Sequence, residues 1–120
     1  MPGYLRVFWH GFEIARIQQV GEHFELHYLE TEDSRTARER GFEGLWGFPL
    51  HQEVYREGVK ESLLRRVCSR KREDFKKYLE AHGLPEDWDG SDMELVGLTG
   101  GRLPSDAFSF ALSGVGKSST

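Results

Sequence analysis

The chain opens on an alternation of apolar and polar residues. Leu5-Arg-Val-Phe-Trp9 is rich in strand formers, His10-Gly11 follows, and Phe12-Glu-Ile-Ala-Arg-Ile17 resumes the run. Two residues ending in glycine between two such runs predict a tight hairpin, with a positive φ at Gly11. A second turn falls at Gly21-Glu22-His23. In Phe24-Glu-Leu-His-Tyr28 the period is two, so Phe24, Leu26 and Tyr28 share one face and Glu25 and His27 the other. Residues 1–30 therefore predict a three-stranded antiparallel meander.

The period changes after Tyr28. Glu30 to Arg40 is highly charged, lacks an apolar repeat, and reads as an exposed loop with at most a short helical turn. Gly41-Phe-Glu-Gly-Leu-Trp-Gly-Phe-Pro-Leu50 sets three glycines and a proline among large apolar residues. That mixture argues against a helix and for an extended segment docking Phe42, Leu45, Trp46 and Phe48 onto the sheet. A helix is then predicted where Val59, Leu63 and Val67 recur every four residues beside Leu64. Phe75, Tyr78 and Leu79 form the stripe of a second, with Asp74 as cap, Gly83 just past its end and Pro85 beyond. Ser91 and Glu94 spell a capping box for a third, whose core face is Met93, Leu95 and Val96 and whose stop is Gly100. Leu103 to Leu112 predicts a last strand that rejoins the N-terminal sheet, and residues 113–120 a small, polar, frayed tail. The fold class is α+β: a small antiparallel sheet, made of the N-terminal meander plus a C-terminal strand, packed with about three short helices. Residues 1–112 form a single domain.

Composition adds bounds. At 120 residues, 38% apolar and 12% aromatic, the chain can bury one ordinary core without metal or disulfide support. Its one cysteine, Cys68, allows no intramolecular disulfide, which fits a reducing cytoplasm. No apolar run approaches the roughly 18 residues of a membrane span, and no signal-peptide pattern is present. The expectation is a soluble, cytoplasmic protein without membrane contact.

Charge is where the chain departs from an average domain. The net charge is −4, yet Arg65 to Lys77 holds seven basic residues (Arg65, Arg66, Arg70, Lys71, Arg72, Lys76, Lys77) and only Glu73 and Asp74 as acids. This stretch spans the end of one predicted helix and the start of the next. Arg70-Lys71-Arg72 on the connecting turn would meet successive phosphates of a nucleic acid. The bland alternative is a solvated corner whose arginines pair with local acids. No aromatic interleaves except Phe75, assigned to the core, so base stacking is not indicated.

Other chemistry is thin. His23 and His27 are four apart on a predicted strand, which separates them by about 13 Å, too far for one metal. No cysteine pair or His-Glu motif is present, so no metal or other cofactor is expected. Cys68 lies among arginines that would lower its pKa if it were exposed, but no base accompanies it. Gly114-Val-Gly-Lys-Ser118 suggests a phosphate loop, yet the required first glycine is Ala111 and no helix follows. Ser105 and Asp106 are explained by turn chemistry.

The order of elements resembles the N-terminal subdomain of HipA-type toxin kinases. The same segment occurs as a small separate protein in three-component operons and before HIRAN domains. The residues behind this are Leu5–Ile17, Phe24–Tyr28, Gly47-Phe-Pro-Leu50 with Tyr55, Ser69-Arg-Lys-Arg-Glu-Asp-Phe75 with Tyr78-Leu79, and Thr99-Gly-Gly-Arg-Leu-Pro-Ser-Asp-Ala-Phe108. The resemblance implies an α+β module without catalytic residues of its own. No His-Arg-Asp or Asp-Phe-Gly of a kinase is present. The Pro run after the sheet is reduced to Phe48-Pro49-Leu50, and the basic turn is closer to the HIRAN-associated relatives. Two functions are therefore expected. One is a regulatory module in a toxin–antitoxin or defence system that docks on a larger protein, a HipA-like kinase or a DNA-associated machine, through Trp46 and Phe48. The other is a nucleic-acid-associated module that works through the basic stretch.

Overall fold

The computed structural model describes residues 3–45, 47–102 and 106–113. Strand β1 (Tyr4–Trp9) turns into β2 (Phe12–Val20) through His10 and Gly11, both at positive φ (50° and 85°). Successive left-handed residues give the turn a twist that matches its strands. β3 (His23–Tyr28) pairs antiparallel with β2 and completes the meander. The last strand, β7 (Phe108–Ser113), pairs antiparallel with β1, Tyr4 opposite Ser113 and Trp9 opposite Phe108. A short strand, β6 (Val54–Tyr55), closes the other edge, so the order is β6-β3-β2-β1-β7. Beside this sheet lies a two-stranded ribbon of β4 (Gly44–Leu45) and β5 (Phe48–Pro49). Four helices accompany them among the described residues: α1 (Glu32–Glu39), α2 (Val59–Leu64), α3 (Phe75–Ala81) and α4 (Asp92–Thr99). The class is α+β, with the C-terminal strand joined to the N-terminal meander as expected.

The meander departs from strict alternation at one place. Val7 faces Ala15 but Phe8 faces Glu13, which leaves Ile14 as the extra residue of a β-bulge. Ile14 and Ala15 can therefore both be buried, together with Ile17 on the same strand. On β3, Phe24, Leu26 and Tyr28 all enter the core.

The charged segment read as a loop is helix α1. The Thr31 hydroxyl accepts the Ser34 N–H at 3.2 Å, and Glu32 and Asp33 occupy the positive first turn. Its buried residues are Ser34 and Ala37. Inward residues this small need no apolar stripe, which is why the period gave no helix and why there are four helices, not three.

The glycine-rich segment after α1 is held by two tyrosines. The Tyr28 hydroxyl accepts the Leu45 N–H at 2.8 Å and donates to the Phe48 carbonyl. Burial pushes that hydroxyl up to about 12, so it remains a donor at any ordinary pH. The Tyr55 hydroxyl donates to the Pro49 carbonyl at 2.7 Å. Phe42 is buried, and Leu45 and Phe48 pack half-buried against the core; Trp46 lies outside the described residues.

Helix α2 buries Val59 and Leu63 but closes at Leu64, so Val67 packs beyond the helix rather than as its next rung. Helix α3 buries Leu79 alone. Phe75, expected in the core, is only half-buried. Asp74 stands at the N-cap position without capping, because its carboxylate is taken by Arg72. The other end of α3 closes as a Schellman motif: Gly83 (φ 78°) donates to the Glu80 carbonyl at 3.0 Å and Leu84 to that of Leu79 at 2.9 Å.

Helix α4 begins in the expected capping box, with Glu94 N–H to Ser91 Oγ at 3.1 Å and Ser91 N–H to Glu94 Oε1 at 2.8 Å. Met93, Leu95 and Val96 are buried. Gly100 ends it at φ 85° and its carbonyl accepts the Phe110 N–H at 2.9 Å. The strand that follows is described from Phe108 and runs through Ser113, one residue past the expected domain boundary. The expected start at Leu103 and the tail after Ser113, including the phosphate-loop-like Gly114–Ser118, lie outside the described residues.

Helix α4 approaches the sheet at Gly97. A Cβ there would stand 2.7 Å from the Leu112 Cβ and 2.9 Å from the Leu112 backbone nitrogen. Helix propensity alone favours Ala over Gly by about 1 kcal/mol. Overpacking against strand backbone, which cannot rotate away, costs about 1–3 kcal/mol. The two together predict that Gly97→Ala lowers stability by up to about 2 kcal/mol in urea unfolding. A gain in stability would show that α4 slides freely on the sheet.

Candidate nucleic-acid interface

The basic stretch runs from Arg65, the C-cap of α2, to Lys77 in the first turn of α3, and the structure divides it between three surroundings. Arg66 is turned inward, its side chain 10% exposed. Its Nε donates to the Gly101 carbonyl at 2.7 Å and its Nη2 to Asp106 at 2.6 Å. The guanidinium also lies over Phe110 and Phe108, at 5.2 and 5.8 Å from the ring centroids. It therefore sews the end of α2 to the connection between α4 and β7.

Arg70 points to the other side of the turn. It donates to the Gly90 carbonyl at 2.9 Å and to Asp92 at 3.3 Å, between the rings of Phe75 and Trp88. Arg72 is clamped by Asp74 through two contacts of 3.0 and 3.2 Å. Arg70-Lys71-Arg72 thus presents no row of three unpaired cations. Lys71 and Lys76 are exposed, and neither lines the cleft described next.

Arg65, Arg66, Arg72 and Lys77 do converge, on an open cleft of about 720 Å³. Arg102, the residue after the double glycine, lines it as well. Tyr78 and His82 of α3 and its C-cap form one wall, and Cys68, Asp74 and Thr99 complete the lining. Five cations therefore surround the cavity against one carboxylate. The side chains of Arg65, Lys77 and Arg102 make no hydrogen bond or ion pair among the described residues. The Arg72–Asp74 pair is exposed, and exposed pairs exchange partners at little cost. With its proton on Nδ1, His82 donates to the Tyr78 carbonyl at 2.9 Å, and this leaves Nε2 unused.

Arg102 and His82 were not among the sequence candidates. Neither belongs to a charge run: Arg102 follows the chain reversal at Gly100-Gly101, and His82 is the C-cap of α3, one turn beyond Tyr78. The glycines of that reversal are legible in the sequence, but the direction they give the next side chain, Arg102, is not.

Cys68 is half-buried in the same cleft. Burial pushes its thiol up, and the Asp74 carboxylate, 3.8 Å from Sγ, adds to this; the opposing pull of Arg72 is smaller. Arginines would lower the thiol's pKa if it were exposed; half-buried, it is governed instead by those two effects. His23 and His27 lie on β3, where His27 contacts Glu25 at 3.0 Å. Glu25 is also bound by Arg56. Among the described residues no group of three or more His, Cys, Asp or Glu is placed to hold a metal ion, and no helix is long and apolar enough to cross a membrane. Phe48, the described member of the expected docking pair, rests its ring on Tyr55 at 5.2 Å and gives its carbonyl to Tyr28.

The Cys68 environment makes a direct prediction. Thiolate is the reactive form, so iodoacetamide should alkylate Cys68 more slowly than free cysteine at pH 7.5. Asp74→Asn removes a charge that disfavours the thiolate, and the alkylation rate followed by mass spectrometry should rise a few-fold. A rate at or above that of free cysteine in the unsubstituted protein would refute this account.

Compared with protein-family models, with curated proteins and with solved structures, the chain matches none of them.

Proposed function

We propose that this chain is a non-catalytic binding module that holds the phosphate backbone of a nucleic acid in the cleft between α2, α3 and the α4–β7 connection. The observation that carries the reading is convergence. Cations from two segments about 35 residues apart face one cavity. Three of them, Arg65, Lys77 and Arg102, have no internal partner among the described residues. Cations that merely solubilise a surface have no reason to converge, whereas a polyanion rewards them through counterion release. The chain as a whole carries −4, so the cleft is the local exception that orients an approaching polyanion. The Cys68 thiol, held toward its neutral form by burial and by Asp74, supports a module that binds rather than reacts.

A second reading keeps docking on a larger protein, a HipA-like kinase by resemblance. One observation favours it: an open groove of about 630 Å³ runs along Phe48, Val54 and Tyr55 beside the two-residue edge strand β6. Phe48→Ser should abolish co-elution with such a kinase in size-exclusion chromatography and leave nucleic-acid affinity within two-fold, about the scatter of non-interface substitutions. Loss of nucleic-acid binding instead would merge the two surfaces into one.

The cleft reading is tested by Arg65→Gln, Lys77→Gln and Arg102→Gln combined. Removing three phosphate contacts should flatten the slope of log K against log salt by about three, about one per cation. Lys71→Gln with Lys76→Gln, outside the cleft, should change the slope less. Unaltered mobility of both DNA and RNA at micromolar protein and low salt would sink the proposal.

A further inference from the structure

We infer that the cleft selects single-stranded over double-stranded nucleic acid, with Tyr78 and His82 as the surface on which an unpaired base stacks; this rests on the phosphate-binding reading above. Three observations carry it. The first is an aromatic row on one side of α3. Phe75 and Tyr78 are stacked with centroids 6.2 Å apart, and Tyr78 and His82 follow at 4.6 Å. The row passes from the half-buried Phe75 to the exposed His82, and its last two rings line the cleft.

The second is that cations and rings share one cavity. Lys77 precedes Tyr78 in the chain, and Arg65, Arg72 and Arg102 face the same space. A positively charged groove with aromatic side chains is the combination by which unpaired strands are held, phosphates on the cations and bases on the rings. In a duplex the base faces are stacked inside the rod, so a ring on the protein gains nothing from them.

The third is shape. The site is an open cleft of about 720 Å³, a volume in the range of small-molecule sites. Helices α2 and α3 span six and seven residues, and α3 turns Tyr78, with His82 at its C-cap, toward the cleft. Neither helix is thus presented at the cleft as a rod to enter a major groove. A flexible strand can lay one or two nucleotides in such a cleft with phosphates on the cations and a base on the rings, an arrangement a base-paired duplex does not offer.

The test measures fluorescence anisotropy with a labelled 12-nucleotide oligothymidylate and with a labelled 12-base-pair duplex. Inorganic polyphosphate serves as a competitor that has charge but no bases. The oligothymidylate should bind at least about ten-fold tighter than the duplex. Tyr78→Ala should weaken it by about five-fold or more, the usual loss for one stacked base, and Tyr78→Phe should restore it. Competition by polyphosphate should be unchanged in Tyr78→Ala. His82→Ala, at an exposed position, carries the same test should Tyr78→Ala fail to fold, and a loss of two-fold or more for the single strand is expected. Equal affinity for strand and duplex, or an aromatic variant that loses polyphosphate as much as oligothymidylate, overturns the inference. If the combined Arg65, Lys77 and Arg102 variant loses every probe while the aromatic variants lose none, the phosphate reading stands and this one falls. If no probe binds the unsubstituted protein, both fall.

Discussion

Helix α4 ends, and the chain turns back toward strand β7, at Gly100 and Gly101, both in left-handed conformation and the first with its carbonyl on Phe110. The reversal has little room. A Cβ at Gly101 would meet the Phe110 ring at 2.8 Å and Val96 at 3.1 Å, both core residues. With glycine there, α4 is laid against the sheet through Gly97, and the two carbonyls of the turn face opposite tasks. Gly100 accepts Phe110 of the returning strand and Gly101 accepts the Arg66 guanidinium. One turn thus joins the sheet edge, the helix layer and the end of α2. Neutral backbone carbonyls bonded to a buried cation are among the stronger hydrogen bonds a domain makes.

Arg66 is therefore spent on structure, and its burial shapes the cleft beside it. By holding the end of α2 against the α4–β7 connection it brings Arg65 and Arg102 to one cavity. The third wall is held differently. Helix α3 buries only Leu79, and Arg70 fastens the preceding turn to Gly90 and Asp92 at its other side. A wall with one apolar anchor and exposed hydrogen bonds belongs to the low-stability end of a domain. Binding surfaces are commonly drawn from that end, while the five-stranded sheet supplies the rigid base.

The two candidate surfaces lie on different parts of the fold. The ribbon around Phe48 is fastened by Tyr28 and Tyr55, so its carbonyls are occupied and its exposed remainder is mostly ring and groove. The cleft instead offers unpaired charge. A groove and a charged cleft suit different partners, which is compatible with a module that bridges a protein and a nucleic acid.

Local rules made much of the fold legible. The hairpin at His10-Gly11, the face shared by Phe24, Leu26 and Tyr28, the capping box of Ser91 and Glu94 and the stop at Gly100 all depend on neighbours within a few residues. Those signals survive folding because backbone hydrogen bonds and φ preferences are local. Helix α1 stayed hidden because its buried residues are Ser34 and Ala37, too small to write an apolar stripe. The bulge at Ile14 stayed hidden because it is a property of two strands. The site divides in the same way. The concentration of charge between Arg65 and Lys77 is plain in the sequence. Which of these residues remain available is decided by partners distant along the chain: Gly101 and Asp106 for Arg66, Gly90 and Asp92 for Arg70. The sequence by itself determined the elements and the place of the charge. Only the tertiary structure decided the cleft, because side chains from Arg65 to Arg102 meet through reversals whose directions no local pattern encodes.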